Sequence, residues 1–418
     1  MSSALWQTRR MSVLTINAGS SSIKFALYAA GSAAPARASP GAAAPARSMH
    51  GKIERIGQQD AVLEANQGPG QPPERLALGA LDFPSAVRAL TRWLERQAAF
   101  AAVSAAGHRV VHGMQHAAPA RVTPQLLAEL KAIIPYDPDH LPQEIELIES
   151  LGRSFPHLEQ VACFDTAFHR TMPRIATILP IPRRYQSKGV QRYGFHGLSY
   201  TYLLQELARR GDGAALRGRV ILAHLGNGAS LAALRDGRCI DTSMGFTPAA
   251  GLPMSTRCGD LDPGVMGFLA MSEGMDAAAL QRMVNRESGL LGVSETSSDV
   301  RDLLAREGED VRAAEALGLF CYQAKKWLAA FAGALGGLDA LVFAGGIGEN
   351  SAPIRARICE GLQFMGVELD DARNAAHAPL ISKDASPVRV RVIPTDEESV
   401  IARMTAEAIA RPFPGANR

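Results

Sequence analysis

Two stretches of this chain, about 200 residues apart, are built to one plan. VLTINAGSSSIKFALY (13–28) and VILAHLGNGASLAALRDG (220–237) each carry an apolar, β-prone run into a Gly/Ser/Asn turn and out into a second apolar run. A unit that recurs so far along predicts a duplicated domain, its two copies facing each other across a cleft. At 418 residues the chain is also longer than one core comfortably fills, so two domains are expected. Between the hairpins, apolar strands such as Val161–Phe164, Val220–Ala223 and Ala340–Ala344 alternate with segments of helical spacing, among them Tyr200–Arg210 and Ala313–Leu335. The fold class that follows is α/β.

The first turn, Asn17-Ala-Gly-Ser-Ser-Ser22, is longer than a bare reversal requires, since Asn-Gly or Asp-Gly turns a hairpin in two residues. Its backbone N–H groups, its hydroxyls and Lys24 suit a polyanion such as a phosphate chain. It is not the GxxxxGK[ST] loop, and alone it divides evenly between a serine-rich turn and a phosphate cradle. Other stretches tip the balance. Gly226-Asn227-Gly228 lets backbone amides approach a ligand with no Cβ in the way. FAGGIGENSAPIRARI places Gly345-Gly346 after a buried strand and a helix start near Asn350-Ser351 and Pro353, and TSSDVRDLL sets Asp299 and Arg301 beside another.

A second group has the charge that phosphate and carboxylate call for. Arg109 lies in GHRVVHG, Arg257 in MSTRCGDLDPG, and His196 in RYGFHG between two glycines. A guanidinium forks onto either anion, and a fixed donor stabilises charge spreading over a phosphoryl group in transfer. Taken singly, each arginine reads sooner as a surface ion pair and the histidine sooner as a structural one. Oxygens suited to magnesium stand at Asp165, after the strand in CFDTAFH, and at Glu397-Glu398 in VIPTDEES; magnesium keeps several waters, so one or two carboxylates suffice. The same Thr395-Asp396-Glu397-Glu398 run is also a helix start.

Bulk properties narrow the field. Lys+Arg 44 against Asp+Glu 41 gives a net charge of +3 with no basic stripe, which argues against nucleic acid or a membrane surface as partner. No apolar run reaches the ~18–20 residues that cross a bilayer, and MSSALWQTRRMSV has no apolar signal core, so a cytoplasmic protein is expected. The five cysteines form no CxxC pair, which points to buried reduced thiols rather than zinc or disulfides.

Together these motifs resemble the acetokinase family from Val13 to about Ala410: NAGSSSIKF, GHRVVHG, FDTAFH, RRYGFHGLSY, AHLGNGAS, DTSMGFTPAAGLPMSTRCGDLDPG, SGLLGVSETSSDVRDL, FAGGIGEN and IPTDEE. The resemblance implies two duplicated ribonuclease H-like domains of the sugar kinase, Hsp70 and actin superfamily, with ATP in the cleft between them. It implies reversible transfer of the γ-phosphoryl group to acetate or another short acid such as propionate; a non-catalytic ATP-binding module of the same fold is the remaining alternative. Magnesium, or manganese in its place, is the implied metal, matched by Asn17 and Glu397, and the implied assembly is a homodimer. Lys24 matches a nucleotide-phosphate contact, and Arg109 the carboxylate site. Val111, Phe195 and Pro248 match its apolar wall, and Asp165, His196 and Arg257 the catalytic positions. His224, Leu225, Gly226, Asn227 and Gly228, then Asp299, Val300 and Arg301, then Gly346, Ile347, Gly348, Glu349 and Asn350 match the ATP-binding segments. The implied division is an extension over 1–11, a first domain of 12–166 with 398–418 carrying a flexible Ala/Pro insertion at 29–48, and a second domain of 167–397. One departure stands out: Asp139 in DPDHLP replaces the leucine that helps wall the family's methyl pocket.

Overall fold

The computed structural model describes residues 12–19, 21–29, 46–68 and 71–411. The extension 1–11 and most of the Ala/Pro tract lie outside them. The far end of that tract is a strand rather than an insertion. Arg47 is registered with Tyr28, and the Ser48 hydroxyl donates to the Leu27 carbonyl at 3.2 Å.

The chain divides into two units. One runs to Ala167 and resumes at Asp396; the other is Phe168–Thr395. In the first, β1 (Ser12–Gly19), β2 (Ser22–Tyr28), β3 (Arg47–Glu54), β4 (Ala61–Asn66) and β5 (Glu74–Gly79) form an antiparallel meander. β6 (Val103–Val110), the short β7 (Ala120–Arg121) and β8 (Glu159–Phe164) extend it in the order β5-β4-β3-β2-β1-β6-β8-β7, with β6 parallel to β1 and β8 parallel to β6. In the second, β9 (Arg219–Leu225), β10 (Ala229–Arg235), β11 (Arg238–Thr242), β12 (Ala340–Ala344) and β13 (Arg389–Val392) lie in the order β11-β10-β9-β12-β13. Three antiparallel strands here, β11-β10-β9, are followed by two parallel additions, matching β3-β2-β1 and then β6-β8 within the larger first sheet. The repeated hairpin is thus the first pair of strands in each of two sheets with one shared topology.

Strands β1 and β9 are buried along almost their whole length, as strands covered on both faces are. On one face of the first sheet lies the helix Phe83–Glu95, whose Trp93 packs on Phe25 with ring centroids 5.2 Å apart. On the other lies the helix Glu397–Ala410. Gly107 in β6 makes this possible, because a Cβ there would run into Thr405 and Ile401 of that helix. Asp396 caps the same helix, accepting from the Ser399 N–H at 3.0 Å. The cap travels with its helix, so Glu397, at the end of the second domain in the sequence-based division, stands in the first unit. Among the described residues, no helix is long and apolar enough to cross a membrane.

Candidate active site

Parallel β strands present their carboxyl ends at one edge, where ligands of open α/β sheets bind. Arg109 is near that end of β6, and Asp165 directly follows β8. Asp165 is completely buried, and its Oδ2 accepts from Arg109 Nε at 3.0 Å and Nη2 at 2.6 Å. Arg109 Nη1 donates to Asn17 Oδ1 at 3.4 Å, and Asn17 Nδ2 donates to Glu397 Oε2 at 2.8 Å. Burial pulls against the charge on Arg109, but Asp165 and then Glu397 hold its guanidinium more firmly protonated than usual. Lys24, exposed on β2, is registered with Asn17 across the hairpin. The Glu398 carboxyl is pushed up by its burial and then by Glu397, against the pull of Lys24.

Just past β6, the Val111 side chain is buried, and its N–H is shared between the two carboxylate oxygens of Glu144 at 3.2 and 3.1 Å. Glu144 is itself 3% exposed, and burial, then Asp137, raise its carboxyl well above the usual range while Arg109 opposes them. Asp139, the acid that the sequence singles out, is only half-buried. The deeply buried acids of this segment are Glu144 and Asp137, the latter bonded to His140 Nδ1 at 2.7 Å. Glu144 had a signal in the sequence: it lies on the Leu141, Ile145, Ile148 stripe that the helix Leu141–Ser154 turns inward.

In the second unit, the β9–β10 turn closes with the Gly226 N–H donating to the Gly228 carbonyl at 3.0 Å. Asn227 reaches the Arg257 loop, its carbonyl accepting from the Ser255 N–H at 3.2 Å. A Cβ on Gly228 would lie 3.1 Å from His196 Nε2 and 3.6 Å from Arg257 Nη1, so both nitrogens face this one glycine. Arg257 Nη1 also donates to the carbonyl of buried Pro248 at 3.2 Å. His196 stacks on His224 with centroids 4.3 Å apart, next to the buried Phe195. His196 takes the left-handed backbone at φ 58°, a strained conformation of the kind that collects at functional sites.

The remaining nucleotide candidates are more structural than expected. GGIGEN is itself a short helix, Gly345–Asn350, where a turn is expected, and the expected helix start follows it, with Ser351 at the N-cap of Ala352–Cys359 and Pro353 in its first turn. Gly345 has φ 77°, and a Cβ on it would come 2.6 Å from the Leu225 carbonyl. Glu349 Oε1 accepts from the backbone of Gly345 at 2.8 Å and of Thr395 at 3.0 Å, and Asn350 Nδ2 donates to the Gly346 carbonyl at 3.0 Å. The fully buried Arg355 donates to the Gly348 and Glu349 carbonyls, both at 2.9 Å. Asp299 caps the helix Val300–Arg306 and forks onto Arg301, while Val300 is core.

A model of the acetokinase family matches residues 12–403. The chain is similar to the acetate kinase of Methylocella silvestris, 46% identical over 94% of this chain and 96% of that one. It is similar to the propionate kinase of Citrobacter rodentium, 41% identical over 94% and 95%. Among solved structures it resembles the acetate kinase of Porphyromonas gingivalis, with a TM-score of 0.82 and 35% identity over 96% of this chain and 100% of that one.

Proposed function

We propose, from the premise that this chain belongs to the acetokinase family, that it is an acetate kinase, moving the γ-phosphoryl group of ATP directly onto acetate and back again. The bond from phosphorus to the ADP oxygen breaks as a bond to a carboxylate oxygen forms. No proton moves, because a carboxylic acid with a pKa of about 4–5 is already ionised near neutral pH. No general base is needed, which gives Asp165 the task of orienting Arg109 rather than accepting a proton.

The difficulty in such a transfer is repulsion between two anions, and the observation that carries the reading is the pairing of His196 Nε2 and Arg257 Nη1 on Gly228. Two donors fixed at one bare backbone position suit charge that spreads over equatorial phosphoryl oxygens. Arg109, held on one side by Asp165, is assigned the acceptor's carboxylate, and Val111, Phe195 and Pro248 the apolar wall around it. The glycines of the β9–β10 turn and of Gly345–Asn350, with Asp299–Arg301 and Lys24, are assigned to the nucleotide.

Asn17 and Glu397 fit magnesium, since together they offer an amide oxygen and one carboxylate. Hard oxygen donors of this kind suit magnesium, which fills the rest of its shell with water and phosphate oxygens. Held by Asn17 and Glu397, magnesium would supply positive charge to the phosphate oxygens. The chain's part is to hold Asn17 and Glu397 together and to keep Arg109 beside them.

The helix Pro263–Ser272 supports a homodimer. None of its residues is buried, and Phe268 and Met271 are 62% and 84% exposed. A face of that kind is assigned to a second copy.

A second acid remains a live reading because a propionate kinase is among the relatives and because the segment from Asp137 to Glu144 departs from the expected apolar wall. Trapping the acyl phosphate as hydroxamate with acetate, propionate and butyrate separates them. Acetate is expected to give the highest kcat/KM, and a clear preference for another acid overturns the assignment.

A further inference from the structure

Ser230 and Tyr200 are both completely buried, and neither stands out in the sequence. They are joined to His196 in a line: His196 Nδ1 lies 2.8 Å from Ser230 Oγ, which lies 2.5 Å from Tyr200 Oη. Ser230 is fixed in β10, registered with His224 in β9. Tyr200 is one turn along the helix that His196 begins, and its ring packs on Phe168 and His169 at 5.6 and 5.8 Å.

We infer that Tyr200 and Ser230 are positioning residues that aim the His196 ring and, by donating along the line to Nδ1, favour a proton on Nε2 toward the transferring phosphoryl group. A hydroxyl both donates and accepts, which makes this pair different from the usual partner of a histidine. With neutral imidazole, Tyr200 donates to Ser230, Ser230 donates to Nδ1, and the ring proton sits on Nε2. With imidazolium, both hydrogen bonds reverse and Nε2 keeps its proton. A backbone carbonyl in place of Ser230 would demand the proton on Nδ1, leaving a lone pair on Nε2 to face phosphoryl oxygens. The reaction takes no proton from its acceptor, so a donor, not a base, is what Nε2 must be. His196 opens its helix in the left-handed backbone without a side-chain cap bond, and its ring bonds Ser230 instead.

This inference rests on the role proposed for His196, and the test separates the two. The full-length protein is labelled with 15N-histidine, the His196 ring signals are assigned by loss in His196→Gln, and tautomer populations are compared across variants alongside acyl phosphate formation from Mg-ATP. Wild type is expected to hold the proton on Nε2. Ser230→Ala is expected to lose that preference and to lose kcat by about tenfold, the size of one hydrogen bond to a reacting group, with both KM values nearly unchanged. Ser230→Thr restores both, and Tyr200→Phe, which removes a single oxygen, moves both in the same direction as Ser230→Ala. Adding Tyr200→Phe to Ser230→Ala does no further damage, since the line is already cut. An unchanged tautomer in Ser230→Ala and Tyr200→Phe, or a wild-type ring protonated on Nδ1, overturns the inference. A wild type that pins the tautomer but makes no acyl phosphate overturns the kinase reading instead.

Discussion

Arg109 gives two hydrogen bonds to a single oxygen of Asp165, from Nε at 3.0 Å and Nη2 at 2.6 Å. This side-on hold fixes the plane of the guanidinium while its Nη1 edge faces Asn17. Asp165 is fully buried, so Asp165→Asn keeps the shape and removes the charge that offsets a largely buried cation. Breaking such a pair destabilises by roughly 3 kcal/mol. Denaturant unfolding is expected to show a loss of that order, with a raised KM for the carboxylic acid; equal stability and equal KM would reject the orienting role.

The role proposed for Arg257 is in the transition state rather than in holding the nucleotide. Arg257→Ala is expected to reduce turnover far more than ATP affinity, as steady-state kinetics beside equilibrium binding will show. Gly228→Ala makes the complementary change, since its methyl group would lie 3.1 Å from His196 Nε2. It is expected to reduce kcat without lowering the melting temperature, and full activity would mean that nothing needs to come close to that glycine.

Stability is expected to fall in acid for a nameable reason. Burial, against the hydrogen bond His108 Nε2–H gives to Gln160 Oε1, pushes the His108 imidazole down to about 4, and burial against Asp137 pushes His112 down to about 4. Their ordinary value is 6.5, so between that pH and about 4 the unfolded chain binds more protons than the folded one, and stability declines as pH falls. The shift corresponds to roughly 3 kcal/mol for His108 at the bottom of the window. Unfolding midpoints measured across this range should follow that slope, and His108→Gln should flatten it.

Phe268→Glu with Met271→Glu places two charges on the exposed apolar helix Pro263–Ser272. Analytical ultracentrifugation is expected to show a dimer in the wild type and a monomer in the double variant. A wild type that sediments as a monomer sinks the assignment of that face.

Much of the architecture was legible because both hairpins pair strands apolar on both faces, and the residues that turn them are small. Arg109, His196 and Arg257 were legible because charge among glycines in a short motif is conspicuous. Ser230, Tyr200 and Glu144 were not, for opposite reasons. A serine in a strand and a tyrosine in a helix read as ordinary filling, and the role inferred for them rests on distances of 2.8 and 2.5 Å that no spacing rule encodes. Glu144 left a signal, an acid on an apolar stripe, but it is easily passed over because the neighbours describe a core and the acid passes for an exception. Arg355 was similarly obscure, because a buried guanidinium served by carbonyls leaves no acidic partner in the sequence to betray it.

The helix Glu397–Ala410 closes a cluster of Val13, Ala26, Tyr28, Ala105 and Ala402 in the first unit. A ribosome makes Ala402 last among these, after every residue of Phe168–Thr395 has been joined. The half encoded first is therefore the half finished last, and it waits with one face of its sheet bare while the other half has all of its chain in hand. A premature stop just before Asp396 removes only a short tail by length, yet it leaves the earlier half permanently unfinished and the later half whole.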